Sequence, residues 1–314
     1  MHRRGAGDRD GGGGCLKVPP GRDRRRLPYV QMDVFTTRPL EGNQLAVFTD
    51  GRALADAEMQ ALAREMCFSE SAFVLPDEGA AAGSATRVRI FTVDEELPFA
   101  GHPTLGTAAV LRGGSGAARV VLRLGVGDIS VTFEDGPEGA LGEMRQQDPR
   151  FGEVHAREAA ASALGLSPED LEPDLPAQTV STGLPFAIVP VRSLSTLRQL
   201  RVDWGRAAAW LAGTDARFAY LVCRDTVDPA ADLHARMMFY GGEDPATGSA
   251  AGCCAAWMVA HGVARPEEPV AIEQGLEIRR PSRIYVRAGR QGDRVCDVRV
   301  AGHAVEVGRG EIAI

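Results

Sequence analysis

Two copies of one short pattern run through this sequence, and each brings an ionisable side chain to a helix start. His102-Pro103-Thr104-Leu105-Gly106-Thr107-Ala108-Ala109 is echoed by Asp244-Pro245-Ala246-Thr247-Gly248-Ser249-Ala250-Ala251. In both, Pro follows an acid or a base, and a Gly and a hydroxyl lead into small residues, which is how a helix beginning is written. A repeat predicts a duplicated architecture, here two similar lobes whose helices start on one shared cleft. First-turn N–H groups from two such helices form an anion site. His102 and Asp244, at equivalent positions, would face each other across it as candidate acid and base. A third ionisable residue, Glu70, lies in Cys67-Phe68-Ser69-Glu70-Ser71-Ala72-Phe73, between a helical pattern and an apolar strand. Each has an ordinary structural reading too: Glu70 as a solvated strand-edge carboxylate, His102 as a structural hydrogen-bonder, Asp244 as a helix cap or dipole partner. The repeat shifts the weight toward chemistry.

Other chemistries find little support. Gly11 to Gly14 lacks the Lys-Ser/Thr ending of a phosphate loop and the strand before it. There is no G-x-S-x-G elbow and no Gly-rich dinucleotide turn. None of the six Cys forms a C-x-x-C pair or a zinc spacing with His. We expect no metal and no cofactor, which leaves proton transfer by side chains. Cys253 and Cys254 lie a turn into the second repeat helix and read as packing residues.

The chain of 314 residues is long enough for two cores. Its net charge of -7 gives no reason to expect a nucleic-acid partner, and no apolar run reaches membrane-spanning length. Residues 1–26 are rich in Gly and Arg and read as a disordered extension without the apolar core of a secretory signal. Reduced thiols in the cytoplasm are the expectation. Tyr29 to Thr36, Leu45 to Thr49, Ser71 to Leu75 and Val88 to Thr92 read as strands, with Gly42-Asn43 a turn. Asp56 to Met66 reads as a helix with Met59, Leu62, Ala63 and Met66 on one face. The first repeat helix runs from Pro103 to Arg112, and a hairpin follows around Gly125-Val126-Gly127. In the second half, Gln178 to Ser181, Phe186 to Val191, Phe218 to Cys223 and His234 to Tyr240 read as strands. Leu194 to Leu200 and Ala207 to Leu211 are short helical patterns, and the second repeat helix spans Gly248 to His261. Both repeat helices are apolar nearly all round, so they are buried. The expected class is α+β: two domains, 27–143 and 144–314, each a curved, mostly antiparallel sheet around a central helix. The boundary is expected near Asp135 to Arg157, and the final strand is allowed to return to the N-terminal domain.

The residues carry a family resemblance. Met32-Asp33-Val34-Phe35-Thr36 with Gly42-Asn43, Ser69-Glu70-Ser71-Ala72-Phe73-Val74, Arg89-Ile90-Phe91-Thr92 with Glu96 to Thr104, Thr182-Gly183-Leu184-Pro185, Glu243 to Ala250, and Gln274-Gly275 with Arg280-Pro281-Ser282 follow the order of the PhzF-like phenazine-biosynthesis family. That family shares the diaminopimelate epimerase fold. The resemblance implies two pseudo-symmetric domains, a cleft between them, no cofactor, a homodimer and a small carboxylate substrate. In the phenazine enzyme a Glu removes a proton next to the hydroxyl-bearing carbon of trans-2,3-dihydro-3-hydroxyanthranilate, and the diene shifts. Glu70 matches that Glu; His102, Asp244 and Ser249 match its polar partners, with Gly101, Pro103, Thr104, Gly248 and Ala250 at the substrate. The epimerase branch uses one Cys from each domain, and this chain has neither in those loops. Val93 and Arg279 stand where the family more often has Pro and Gly, and Phe68 is expected to reshape the pocket. Two other readings stay open: epimerase-type proton transfer in the same cleft, and a silent small-molecule binder.

Overall fold

The computed structural model describes residues 24–76, 84–239 and 242–314. Most of the Gly/Arg-rich extension, with Cys15, lies outside them, as does Tyr240. The first half holds β1 (Arg26–Val34), β2 (Asn43–Phe48), β3 (Glu70–Leu75), β4 (Thr86–Phe91), β5 (Glu96–Leu97), β6 (Arg119–Leu124), β7 (Gly127–Gly136) and β8 (Gly139–Arg145). The second holds β9 (Arg150–Val154), β10 (Gln178–Ser181), β11 (Pro185–Pro190), β12 (Phe218–Cys223), β13 (Leu233–Phe239), β14 (Gly242–Asp244), β15 (Val270–Gln274), β16 (Ser282–Gln291) and β17 (Arg294–Ala313). Among the described residues the α-helices are α1 (Asp56–Met66), α2 (Gly101–Arg112), α3 (Arg157–Leu164), α4 (Leu194–Gln199), α5 (Trp204–Ala212) and α6 (Gly248–Ala260).

The fold is α+β. In the first lobe β1 pairs with β2, β2 with β3, β3 with β4, β4 with β6, and β6 through β8 run as antiparallel neighbours. The long β17 closes this ring, pairing with β8 through Arg299–His303 and with β1 from Ala304 onward. The ring encloses α2, which packs on β1, β2, β3, β6, β8 and β17. The second lobe runs β9-β10-β11-β12-β13-β15-β16 and ends on the first part of β17, around α6. One strand thus belongs to both sheets and holds the lobes in register.

Small residues allow a sheet to wrap a helix this closely. Residues Gly101 through Ala108 of α2 and Gly248 through Val259 of α6 are buried on every side. A Cβ on Gly106 would sit 2.6 Å from Leu45 and 2.8 Å from Val34, so the backbone of α2 lies against β1 and β2. Outside the rings, α1 covers the stacked Phe48 and Phe73, whose centroids are 4.7 Å apart. Leu164 of α3, Leu197 of α4 and Ala207 of α5 cover the outer face of β11 and β12.

The segment Asp135 to Arg157 carries β8 and β9, joined by residues 146–149, which lack regular structure. Gly139 (φ 97°) turns β7 into β8, and Gly142 leaves room for Leu105 and Phe133, so glycines read as linker are sheet-packing positions. Helix α3 was not expected; Ala160, Ala161 and Leu164 bury one face, and Gly165 (φ 77°) ends it in the left-handed region. Asn43 opens β2 rather than completing a turn. Among the described residues no helix is long and apolar enough to cross a membrane.

Candidate active site

The two repeat helices meet start to start. Helix α2 begins at Gly101, one residue before His102, and α6 begins at Gly248. A Cβ on Gly101 would lie 2.6 Å from the Ser249 nitrogen and 2.7 Å from the Gly248 carbonyl carbon, so only Gly permits this contact. The cavity beside it has a polar floor of Glu70, His102, Asp244 and Ser249 and an apolar wall of Leu97, Leu184, Phe186, Phe218 and Met237.

Glu70 reaches the floor because α1 ends at Cys67 in the left-handed conformation (φ 53°), which turns the chain into β3 with Glu70 as its first residue. Far from being solvated, Glu70 is 6% exposed, and its Oε2 lacks a hydrogen-bond partner. His102 Nε2 stands 3.7 Å from that oxygen, also unpartnered and buried. Asp244, the last residue of β14, is fully engaged. Ser69 Oγ (2.8 Å) and Asn43 Nδ2 (2.9 Å) donate to its Oδ1, and Thr247 Oγ1 (2.6 Å) donates to its Oδ2.

The electrostatics follow from burial. Desolvation, reinforced by the nearby Asp244 charge, holds the Glu70 carboxyl well above the usual carboxylate range. Desolvation pushes His102 down to about 3 against a hydrogen bond with the Gln44 backbone, leaving a neutral imidazole. It pushes Asp244 up to about 6, offset by the bonds from Thr247, Ser69 and Asn43. The site therefore sets a carboxyl of raised pKa 3.7 Å from a neutral imidazole.

Gly101 and Gly248 line the cavity. Pro103, Thr104 and Ala250 do not: the Thr104 hydroxyl donates to the Ala100 carbonyl at 2.7 Å, and Ala250 is packed in the core. Phe68 packs against the α1 core instead of reshaping the pocket. Arg279 has φ 60°, a left-handed conformation that explains a Gly preference there. Cys253 and Cys254 are buried inside α6, with the Cys253 thiol pushed up to about 11. Among the described residues no cluster of His, Cys, Asp or Glu could hold a metal ion.

The residues missed from the sequence are the amides that clamp Asp244. Asn43 Nδ2 also donates to the Ala246 carbonyl at 2.9 Å and lies 3.2 Å from His102 Nδ1, joining β2 to the Asp244 loop. Gln274 Nε2 donates to the Asp244 carbonyl at 2.8 Å, and its Oε1 accepts from the Thr247 backbone at 3.2 Å. A polar residue at the buried start of a strand was the available signal for Asn43.

The sequence pattern of the phenazine biosynthesis-like proteins (PhzC-PhzF) matches residues 32–310. The chain belongs to this family. This PhzF-like isomerase is 38% identical to an uncharacterized isomerase of Mesorhizobium japonicum, over 91% of this chain and 98% of that one. It is 35% identical to the trans-2,3-dihydro-3-hydroxyanthranilate isomerase of Pseudomonas fluorescens, over 91% and 99%. Among solved structures, a predicted epimerase from Pseudomonas aeruginosa is 39% identical with a TM-score of 0.79, over 91% of this chain and 99% of that one.

Proposed function

We propose that this protein isomerises a small, cyclic, unsaturated amino or hydroxy acid by a proton shift through Glu70, as in the reaction named for its Pseudomonas relatives. One observation carries the reading: an unpartnered, buried Glu70 oxygen 3.7 Å from an unpartnered His102 nitrogen, beside two abutting helix N-termini. The helix ends favour a carboxylate and the negative charge that develops on a conjugated acid when a carbon loses its proton. As carboxylate, Glu70 is a strong base for the reason that it is a weak acid: water is excluded. It takes a proton from the saturated carbon at one end of the diene conjugated to the acid, the double bonds move along the ring, and the proton returns at the far end of the system. His102, neutral and 3.7 Å from the Glu70 carboxyl, is placed to hydrogen-bond the polar groups of the substrate. Asp244, saturated with hydrogen bonds, fixes the geometry across the lobes, and Ser249 donates from the first turn of α6. The apolar wall suits the ring face.

From the resemblance we further propose a homodimer that works in the cytoplasm without cofactor, nucleic acid or membrane. Incubation with trans-2,3-dihydro-3-hydroxyanthranilate, followed by NMR, tests the reading. Conversion to a shifted diene supports it. Failure with this and other cyclic dienoic amino acids, alongside α-proton exchange on a saturated amino acid, establishes the epimerase reading instead.

A further inference from the structure

Gln146 lies in the short crossover between β8 and β9, far in sequence from every motif above, yet its side chain is buried inside the second lobe at 3% exposure. Its backbone N–H is fixed to the Val298 carbonyl of β17 at 2.9 Å. Its side-chain Nε2 donates to the Gly248 carbonyl at 3.0 Å, and its Oε1 accepts from Thr182 Oγ1 at 2.6 Å. The orientation of the amide is not ambiguous, because a carbonyl oxygen can only accept. Helix α6 is shaped to receive it: a Cβ on Gly252 would overlap the Gln146 amide, so the glycine one turn along is a notch for this side chain. Thr182 also contacts Cys253 Sγ at 3.4 Å, which ties the arrangement to the Leu184 segment of the cavity wall.

The Gly248 carbonyl and the Ser249 N–H belong to one peptide unit. A hydrogen bond to the carbonyl polarises that unit and strengthens its N–H as a donor. The Ser249 nitrogen abuts Gly101 in the cleft, and as a first-turn group it has no intrahelical acceptor. We infer that Gln146 is a positioning residue that acts through the Gly248–Ser249 peptide, orienting and polarising the α6 N-terminus so that it binds the substrate carboxylate. This rests on the proposed carboxylate substrate. It assigns Gln146 to anion affinity and leaves the proton shift to the residues of the floor.

The test is equilibrium binding to the full-length protein of 3-hydroxyanthranilate, an aromatic monocarboxylate of the same skeleton, and of its carboxamide. Gln146→Met and Gln146→Leu both remove the donor without adding charge. Both variants should weaken carboxylate binding about tenfold, or about 1.4 kcal/mol, with carboxamide binding unchanged. Turnover should show a raised KM with kcat within about twofold, the signature of a lost uniform binding contact. The Ser249 amide resonance should move upfield in the unliganded variants, a readout that needs no substrate. Thr182→Val, which frees Gln146 on one side, should weaken binding in the same direction and serves if the Gln146 variants do not fold. Wild-type affinity in these variants, or equal loss for carboxylate and carboxamide, overturns the role of Gln146. A wild type that binds the carboxylate no better than the carboxamide overturns the carboxylate reading itself, and the inference with it.

Discussion

Replacing Gly101 by Ala tests whether the contact between the two helix starts sets the catalytic geometry. The new methyl would meet backbone atoms only: the Ser249 nitrogen at 2.6 Å, the Gly248 carbonyl carbon at 2.7 Å and the Gly248 Cα at 2.8 Å. None belongs to a flexible side chain, so relief requires the lobes to part by about 0.8 Å to reach ordinary contact near 3.4 Å. Such overpacking costs about 1–3 kcal/mol, a drop of only a few degrees in Tm for a chain of this size. A displacement near 1 Å at a reacting centre costs about 10²-fold in rate. Gly101→Ala should therefore lose about two orders of magnitude in kcat/KM while remaining folded. Gly106→Ala supplies the contrast. Its methyl would press on side chains of Leu45 and Val34 inside the first core, so it should lower Tm comparably with far less effect on kcat/KM. Thermal unfolding and steady-state kinetics on the two variants separate the effects. Wild-type kcat/KM in Gly101→Ala, or equal activity losses in both variants, would refute the reasoning.

Asn43→Ala should cost about 2–4 kcal/mol of stability, because it leaves the Ala246 carbonyl and one Asp244 oxygen short of a buried donor; an unchanged Tm contradicts the clamp. Asp244 makes the pH dependence of stability specific. Its folded pKa of about 6 exceeds the ordinary 3.8, so the unfolded chain releases this proton first. Its contribution is nil below about pH 3.8, grows more destabilising as pH rises to about 6, and is constant above, at roughly 3 kcal/mol. His102 acts oppositely: lowered to about 3 from 6.5, it adds stability as pH rises between those values. Asp244→Asn removes the first effect alone, so its Tm relative to wild type should climb from pH 4 to pH 6 and then level off. A difference independent of pH would mean that Asp244 ionises normally.

The paired helix starts were legible because helix beginnings are written locally: proline, glycine and small residues within eight positions state both that a helix begins and that it is buried. The α1, β12 and α6 spans were similarly readable from periodicity and apolar runs. What escaped was set by distant contacts. Asn43 looks like a turn residue until β2 brings it 2.9 Å from an aspartate 201 positions away. Glu70 looks like a strand-edge carboxylate until the second lobe seals it from water. The glycines of β8 resemble a linker because the side chains that fill their space, Leu105 and Phe133, come from other elements. Gln146 gave no sequence signal, since its partners lie on α6 and beside β10.

The proton shift through Glu70 is tested most directly by running the isomerisation in D₂O with wild type and Glu70→Gln side by side, following product formation and deuterium content by NMR. The account predicts product from the wild type and a loss of at least about 10²–10⁴-fold in the variant, which should stay folded because its neutral amide fills the space of the buried carboxyl. Turnover by Glu70→Gln at the wild-type rate would contradict the account and move the base elsewhere in the cleft.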